Sequence, residues 1–239
     1  MNDEFISVKD FFNHNEKRKK FLQKQEISSP KEKIKKVKET KLYTNIESGK
    51  YKGKKLLLPS LTTTRSTKSI VKSCVFNVIR EDLRDKIFIE AFGGSALMAA
   101  EALSNYALKA YAIELDVKAY KIALENAKNI DPNLEVIHAN TFEILPKLIE
   151  NSKNKIILYL DPPFDIREGF SDIYEKIYHF LENLDLKALN LIIFEHHSTI
   201  KTPEKIQNFQ KVKEKKFGST SLSFYTTCKN IISQPIIIL

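Results

Sequence analysis

Apolar positions along the chain follow two rhythms that take turns. Short apolar runs occur at Ile87-Phe88-Ile89, Ala110-Tyr111-Ala112-Ile113, Leu134-Glu135-Val136-Ile137, Ile156-Ile157-Leu158-Tyr159-Leu160 and Leu189-Asn190-Leu191-Ile192-Ile193-Phe194, and they read as five strands. Helical spacing between them predicts helices over 95–105, 117–129, 141–150 and 170–183. Such alternation implies an α/β, Rossmann-like architecture: a mostly parallel, doubly wound sheet with helices on both faces. A further helix leads into it, capped by Ser66 or Thr67 and running to about residue 80, with Val71, Val75, Phe76 and Ile79 on its core side. Cys74 on that helix is a small packing residue. Upstream, 42–46 and 54–58 flank Ser48-Gly49-Lys50-Tyr51-Lys52-Gly53 and predict a small N-terminal β-hairpin. Downstream, 209–217, the turn Gly218-Ser219 and 222–226 predict an antiparallel hairpin at the end of the sheet. The apolar tail 231–239 is too short to cross a membrane and is expected to dock on the body.

Length divides the chain into one sizeable domain and an appendage: a basic, flexible or partly helical arm over 1–40, the hairpin with its connector over 41–64, and the main domain over 65–239. No apolar run nears the roughly 20 residues of a membrane span, and Met1-Asn2-Asp3-Glu4 does not open a signal pattern, so a cytoplasmic protein is expected. Cys74 and Cys228 share no ligand spacing, which argues against zinc or a disulfide framework; no metal is expected.

Charge sharpens the picture because it is uneven. Residues 17–72 carry 18 Lys plus Arg against 4 acids, or +14, whereas 73–239 carry 20 against 22 and 1–16 contribute −3. A near-neutral body behind a basic leader fits a polyanionic partner; the alternative is a solvated basic arm with none. Lys50, Lys52, Lys54 and Lys55, with Tyr51 among them, would place cations and a stacking ring at the hairpin tip, as phosphate contacts and base stacking require.

Four polar residues close four successive predicted strands: Glu90, Glu114, Asn140 and Asp161, with gaps of 24, 26 and 21 residues. In an open parallel sheet the carboxyl ends of the strands form the ligand crevice, so these side chains should converge. Gly93-Gly94-Ser95 follows the first strand and would let a ligand approach the backbone, but Ala96, Met98 and Ala99 break the dinucleotide G-x-G-x-x-G pattern. Glu114 is placed for ribose hydroxyls, although it or Asp116 also reads as a capping acid. For Asn140 two readings stand equally, an adenine-edge contact and a cap for the helix starting at Thr141. In Asp161-Pro162-Pro163-Phe164 a carboxylate, a proline-fixed carbonyl and an aromatic face suit a flat heterocycle with an exocyclic amine; a strand-ending turn is the plainer reading. Glu195 would close the fifth strand facing the crevice, with His196 and His197 as loop residues beside it.

Glu90-Ala91-Phe92-Gly93-Gly94-Ser95, Ile113-Glu114, Asn140 and Asp161-Pro162-Pro163-Phe164 resemble the motifs of class I S-adenosylmethionine-dependent N-methyltransferases. Ser48-Gly49-Lys50-Tyr51-Lys52-Gly53-Lys54-Lys55-Leu56, Arg65-Ser66-Thr67, Val71-Lys72, Phe76-Asn77 and Glu101-Ala102-Leu103-Ser104 add a closer similarity, over roughly 42–227, to the RsmD family. The resemblance implies methylation of guanine N2 in 16S ribosomal RNA, a small-subunit assembly intermediate as the other possible substrate form, S-adenosylmethionine as cofactor and a monomer off the membrane. It implies catalytic roles for Asp161, Pro162 and Phe164, and cofactor contacts from Glu90, Phe92, Gly93, Gly94, Ser95, Glu114, Leu115, Asn140 and Thr141. Arg65 and Thr67 fall near the methionine end or the target base, Arg65 also among the RNA contacts, or else form a polar turn before a helix. The chain departs from the family at Ala96, where Gly is usual, at Ser66, where Pro is usual, and in having residues 1–40. A DNA amino-methyltransferase and a catalytically silent RNA-binding assembly protein are the competing accounts; a nicotinamide dehydrogenase is disfavoured by the glycine pattern.

Overall fold

Eight strands join into one sheet in the computed structural model, which describes residues 41–59, 65–163 and 172–227. In chain order the elements are β1 (Leu42–Asn45), β2 (Lys55–Leu58), α1 (Arg65–Ile79), a 3-10 turn (Arg80–Leu83), β3 (Ile87–Glu90), α2 (Leu97–Ser104), β4 (Lys109–Glu114), α3 (Val117–Ile130), β5 (Leu134–His138), α4 (Thr141–Glu150), β6 (Ile156–Leu160), α5 (Ile173–Glu182), β7 (Leu189–His197), β8 (Lys205–Ile206), β9 (Phe209–Phe217) and β10 (Thr220–Thr227). The sheet order is β5-β4-β3-β6-β7-β10-β9-β8, parallel from β5 to β7 and antiparallel beyond. The chain winds outward from β3 to β5 and then returns to β6, so the order reverses between β3 and β6. A crevice opens at such a switch point.

Alternation along the strands sorts the core into two layers. Phe88, Ala110, Ala112, Ile157, Tyr159 and Ile193 belong to the layer that takes the apolar faces of α1, α2 and α3. Ile89, Ile113, Leu158, Leu160, Ile192 and Phe194 belong to the layer that takes α4 and α5. In the first layer Phe76 of α1, Phe88 and Tyr159 form a chain of rings with centroids 6.1 Å apart at each step. Among the described residues no helix is long and apolar enough to cross a membrane.

Several boundaries differ from the sequence-based expectation. Helix α2 starts at Leu97 rather than 95, because Ala96 sits in the left-handed region at φ 59° and cannot be helical. Strand β7 runs on through Glu195 to His197, so the two histidines are strand residues, not loop residues. His196 is fully buried, with Nε2 3.0 Å from Ser223 Oγ on β10, and burial holds its pKa below the usual histidine value. The two-residue β8 went unpredicted; Lys205 and Ile206 pair with Gln210 and Phe209. The arm 1–40, the connector 60–64, Phe164, the start of the helix predicted from 170, Cys228 and the tail 231–239 lie outside the described residues.

Hairpin β1–β2 pairs Leu42 with Leu58 through Asn45 with Lys55 and is fastened to the body rather than standing clear of it. Ile46 and Leu56 enter the first core layer, and Asn126 of α3 brackets Leu57, accepting from its N–H at 2.8 Å and donating to its carbonyl at 3.0 Å. Beneath the turn, buried Lys72 lies 2.8 Å from Glu101 Oε1 and 3.3 Å from Glu47 Oε1, and donates to the Asn45 carbonyl at 3.0 Å. Burial pushes the Glu101 carboxyl above its usual value even against Lys72, and Glu101 Oε2 has no hydrogen-bond partner among the described residues. The turn itself presses on the end of α2: Lys50 N–H donates to the Ser104 carbonyl at 2.8 Å, and a Cβ at Gly49 would fall 1.8 Å from that oxygen.

Gly49→Ala therefore meets backbone as well as a φ of +80°, whereas Gly53→Ala at φ +87° meets nothing within 4 Å. The expected costs are about 3 kcal/mol or more for the first and about 1 kcal/mol for the second, read from urea midpoints. Equal losses would contradict the docked turn.

Candidate active site

The carboxyl ends of β3, β4 and β6 carry Glu90, Glu114 and Asp161, and the first two carboxylates hold backbone in place. Helix α2 needs acceptors for its first N–H groups, and Ala96 at its N-cap has none to offer. Glu90, buried at 5% exposure, supplies them from the neighbouring strand: its oxygens lie 3.4 Å from Met98 N and 3.0 Å from Ala99 N. A negative charge there also complements the positive end of the helix.

Between Glu90 and α2 the chain turns through Gly93, Gly94 and Ser95. Gly93 N–H donates to the Ile113 carbonyl at 2.7 Å, and a Cβ there would come within 3.1 Å of both Ala112 Cβ and that carbonyl, so the turn lies against β4. Gly94, at φ +50°, has nothing within 4 Å of where a Cβ would stand, which leaves that side open. Its N–H donates to Glu114 Oε2 at 2.6 Å while Glu114 Oε1 accepts from Asp116 N–H at 2.7 Å. One carboxylate thus ties the glycine turn to the loop after β4. Leu115 beside it is 63% exposed, an apolar surface at the rim. Ser95 is buried, and its carbonyl accepts from Asn126 Nδ2 at 2.8 Å.

Capping contacts are present at both positions where the sequence allowed them. Asn140 Oδ1 accepts from Phe142 N–H at 3.0 Å at the start of α4, and Asp116 Oδ1 accepts from Ala119 N–H at 2.8 Å at the start of α3. Thr141 is buried, its hydroxyl donating to the Ala91 carbonyl. Phe92 is half-buried against the second core layer.

At the switch point Asp161 is half-buried, Pro162 buried and Pro163 half-buried. Period two and the pairs Glu90↔Tyr159 and Leu160↔Phe194 place Glu90, Tyr159, Asp161 and Glu195 on one face of three adjacent strands. The Tyr159 hydroxyl donates to Glu195 Oε2 in the interior. Burial first, then the Glu195 and Asp161 charges, push the Tyr159 phenol well above its usual pKa, so it remains a donor. Sequence reasoning set Asp161 and Glu195 at strand ends but missed Tyr159 as the link, although its position two residues before Asp161 was the available signal.

The four hairpin lysines are exposed, but two of them also have partners on the body. Lys50 Nζ lies 3.0 Å from Asp131 Oδ2, and the Tyr51 hydroxyl donates to the same oxygen. That hydrogen bond, ahead of burial, raises the Tyr51 pKa. Lys50 and Lys54 place their ammonium groups 4.7 and 4.6 Å from the Tyr51 ring centroid, and Lys54 reaches the Asn129 carbonyl at 3.3 Å. Tyr51 is therefore part of the joint with α3 and not an open stacking face, because the nearly buried Asp131 carboxylate draws in donors. Lys52 and Lys55 are exposed. The side chains of Arg65 and Thr67 lie outside the described residues.

The family described as Conserved hypothetical protein 95 matches residues 44–226. A protein of Buchnera aphidicola subsp. Baizongia pistaciae named Ribosomal RNA small subunit methyltransferase D is 31% identical over 193 residues, which cover 77% of this chain and 92% of that one. The chain belongs to the RsmD family of methyltransferases. The RsmD protein of Escherichia coli K12 is 27% identical, over 75% of this chain and 88% of its own. The solved structure of yhhF from Escherichia coli superimposes with a TM-score of 0.63 at 26% identity, covering 78% of this chain and 98% of that one. The cofactor of an RsmD methyltransferase is S-adenosylmethionine, and the strand ends fit it. Gly94 leaves room for close approach, Leu115 offers an apolar rim, and Glu90, Asp161 and Glu195 share one face of the sheet.

Tyr159→Phe removes the buried donor to Glu195. The expected cost is about 1–3 kcal/mol of stability, seen as a lower urea midpoint at unchanged slope. An unchanged midpoint would deny the pair its structural weight.

Proposed function

We propose that this RsmD-family chain methylates N2 of a guanine in small-subunit ribosomal RNA, acting as a cytoplasmic monomer. The observation that carries the reading is the position of Asp161-Pro162-Pro163 at the carboxyl end of β6, beside the switch point. An exocyclic guanine amine is a weak nucleophile because its lone pair is delocalised into the ring. The Asp161 carboxylate and the Pro162 carbonyl accept its two hydrogens and aim the nitrogen, and Phe164 stacks on the base, by resemblance to the family. Bound S-adenosylmethionine supplies an electrophilic methyl group.

The remaining roles follow the strand ends. Glu114 accepts from ribose hydroxyls with the lone pairs left after its two backbone contacts, since a carboxylate offers about four acceptor directions. The backbone of Gly93, Gly94 and Ser95 passes close to the cofactor, Leu115 packs on the adenine, and Phe92, Asn140 and Thr141 hold the adenine side. Arg65 and Thr67 serve the methionine end. Glu90 acts through the turn it fixes. Lys52, Lys54 and Lys55 meet phosphates, with Arg65 and the basic arm of 1–40 adding to that attraction. Orientation and electrostatics supply the acceleration.

Mapping methyl groups on ribosomal RNA from cells with and without the gene tests the substrate directly; loss of one N2-methylguanine is expected. Asp161→Ala should lower methyl transfer about 10³-fold while the dissociation constant for S-adenosylmethionine stays within about twofold. Glu114→Ala should raise that constant by about 10–100-fold. Methylation of DNA in place of RNA, or full transfer by the Asp161 variant, would sink the proposal.

A further inference from the structure

We propose that Glu195 on β7 reads the identity of the target base, accepting the ring N1–H of guanine while Asp161 on β6 takes the neighbouring N2–H. The inference rests on guanine N2 being the methylated atom, and gives a role to a side chain outside the Asp161-to-Phe164 motif. Guanine presents two adjacent donors on its Watson–Crick edge, N1–H and N2–H, where adenine presents an acceptor at N1. Two adjacent donors call for two adjacent acceptors.

The sheet provides them on neighbouring strands. Leu160 pairs with Phe194, so Asp161 and Glu195 each stand one residue further on, and alternation turns both to the face of Tyr159 and Ile193. Neighbouring strands run about 4.8 Å apart, a spacing over which two carboxylates can converge on one heterocycle edge. On β10 the residue opposite Glu195 is Leu222, whose apolar side chain shares that core layer, so the acid is set into an apolar wall.

The Tyr159 hydroxyl holds Glu195 by Oε2 and thereby orients it. A glutamine would accept that hydrogen bond equally well and would be easier to bury than a carboxylate. What glutamate adds is a group that accepts only, on every lone pair it has. Glu195 is 8% exposed and Asp161 is half-buried, so the paired acids stand at the margin of the core and not deep within it. A site built to pair a buried acceptor with a ligand N–H rejects an analogue that presents an acceptor instead.

The test uses a synthetic small-subunit RNA fragment carrying guanine or 2-aminopurine at the mapped position. 2-Aminopurine keeps the exocyclic amine but has an acceptor at N1. The wild type should prefer guanine by at least about tenfold in kcat/KM. In Glu195→Gln the amide can turn its NH₂ toward N1, so the preference should fall to within about threefold or invert. Loss of O6 in 2-aminopurine is common to both enzymes, and the change in preference isolates N1. Glu195→Asp should slow transfer yet keep the wild-type preference. A wild-type enzyme indifferent to the two bases would overturn the assignment, as would Glu195→Gln slowing both while leaving their ratio unchanged. Failure of the wild type to methylate guanine N2 at all would instead remove the functional reading beneath it.

Discussion

Helix α2 begins on a residue that cannot cap it, and the crevice is organised by how that need is met. Ala96 has no acceptor and sits at φ 59°, a conformation an L-residue occupies at a cost of roughly 1 kcal/mol or more. Glu90 takes over, accepting from Met98 and Ala99 N–H eight and nine residues beyond the strand it ends. With strand end and helix start joined by one buried carboxylate, the intervening turn has little freedom. Gly93 is pressed against β4, Gly94 is tied to Glu114, and Glu114 is tied in turn to the next loop. Two acids thus hold the glycine turn from two sides. A helix with its own serine cap would free Glu90, and the turn would lose its tether to β3.

A second constraint follows from the sign of those groups. Glu90, Asp161 and Glu195 all raise the pKa of the single hydroxyl of Tyr159, which means that their fields overlap in one small volume. Like charges in a partly dehydrated crevice repel by an amount on the order of kcal/mol, and here that cost is offset by the N–H groups that Glu90 caps and the hydroxyl that Glu195 accepts from. Glu90 and Glu195 thus each answer to a donor of the fold while standing on the face that carries Asp161.

The doubly wound body was legible because period two and period 3.6 alternate cleanly from Ile87 to Phe194, and the same regularity put Glu90, Glu114 and Asp161 at the strand ends. What escaped was set by residues far away in the chain. His196 looks like a loop residue until β10 supplies Ser223 against it, 27 positions on. Lys50 and Tyr51 look like a solvated tip until Asp131, 81 and 80 positions away, comes beneath them. Helix caps sit at the other extreme: Asp116 and Asn140 answer to N–H groups three and two residues ahead, so the capping reading was open locally. The two-residue β8 has no period to detect.

Counting lysines overstates what the hairpin can offer to a polyanion. Lys50 faces Asp131, and Lys72 is enclosed between Glu47 and Glu101, so two of the cations counted in the leader fasten the hairpin to the body. Both pairs draw in charges from separate elements, and an ion pair with one partner missing is far more costly in the interior than at the surface. The hairpin is accordingly held in one orientation, and Lys52 and Lys55 are presented from a fixed platform instead of a swinging loop. Glu90, Glu114 and Asp161 stand at the strand ends, while Lys52 and Lys55 stand exposed on the hairpin. Because Lys72, Glu101 and Asp131 are buried and each has an opposite charge against it, loosening the hairpin would strand a charge in the interior, and that cost keeps Lys52 and Lys55 fixed on the body.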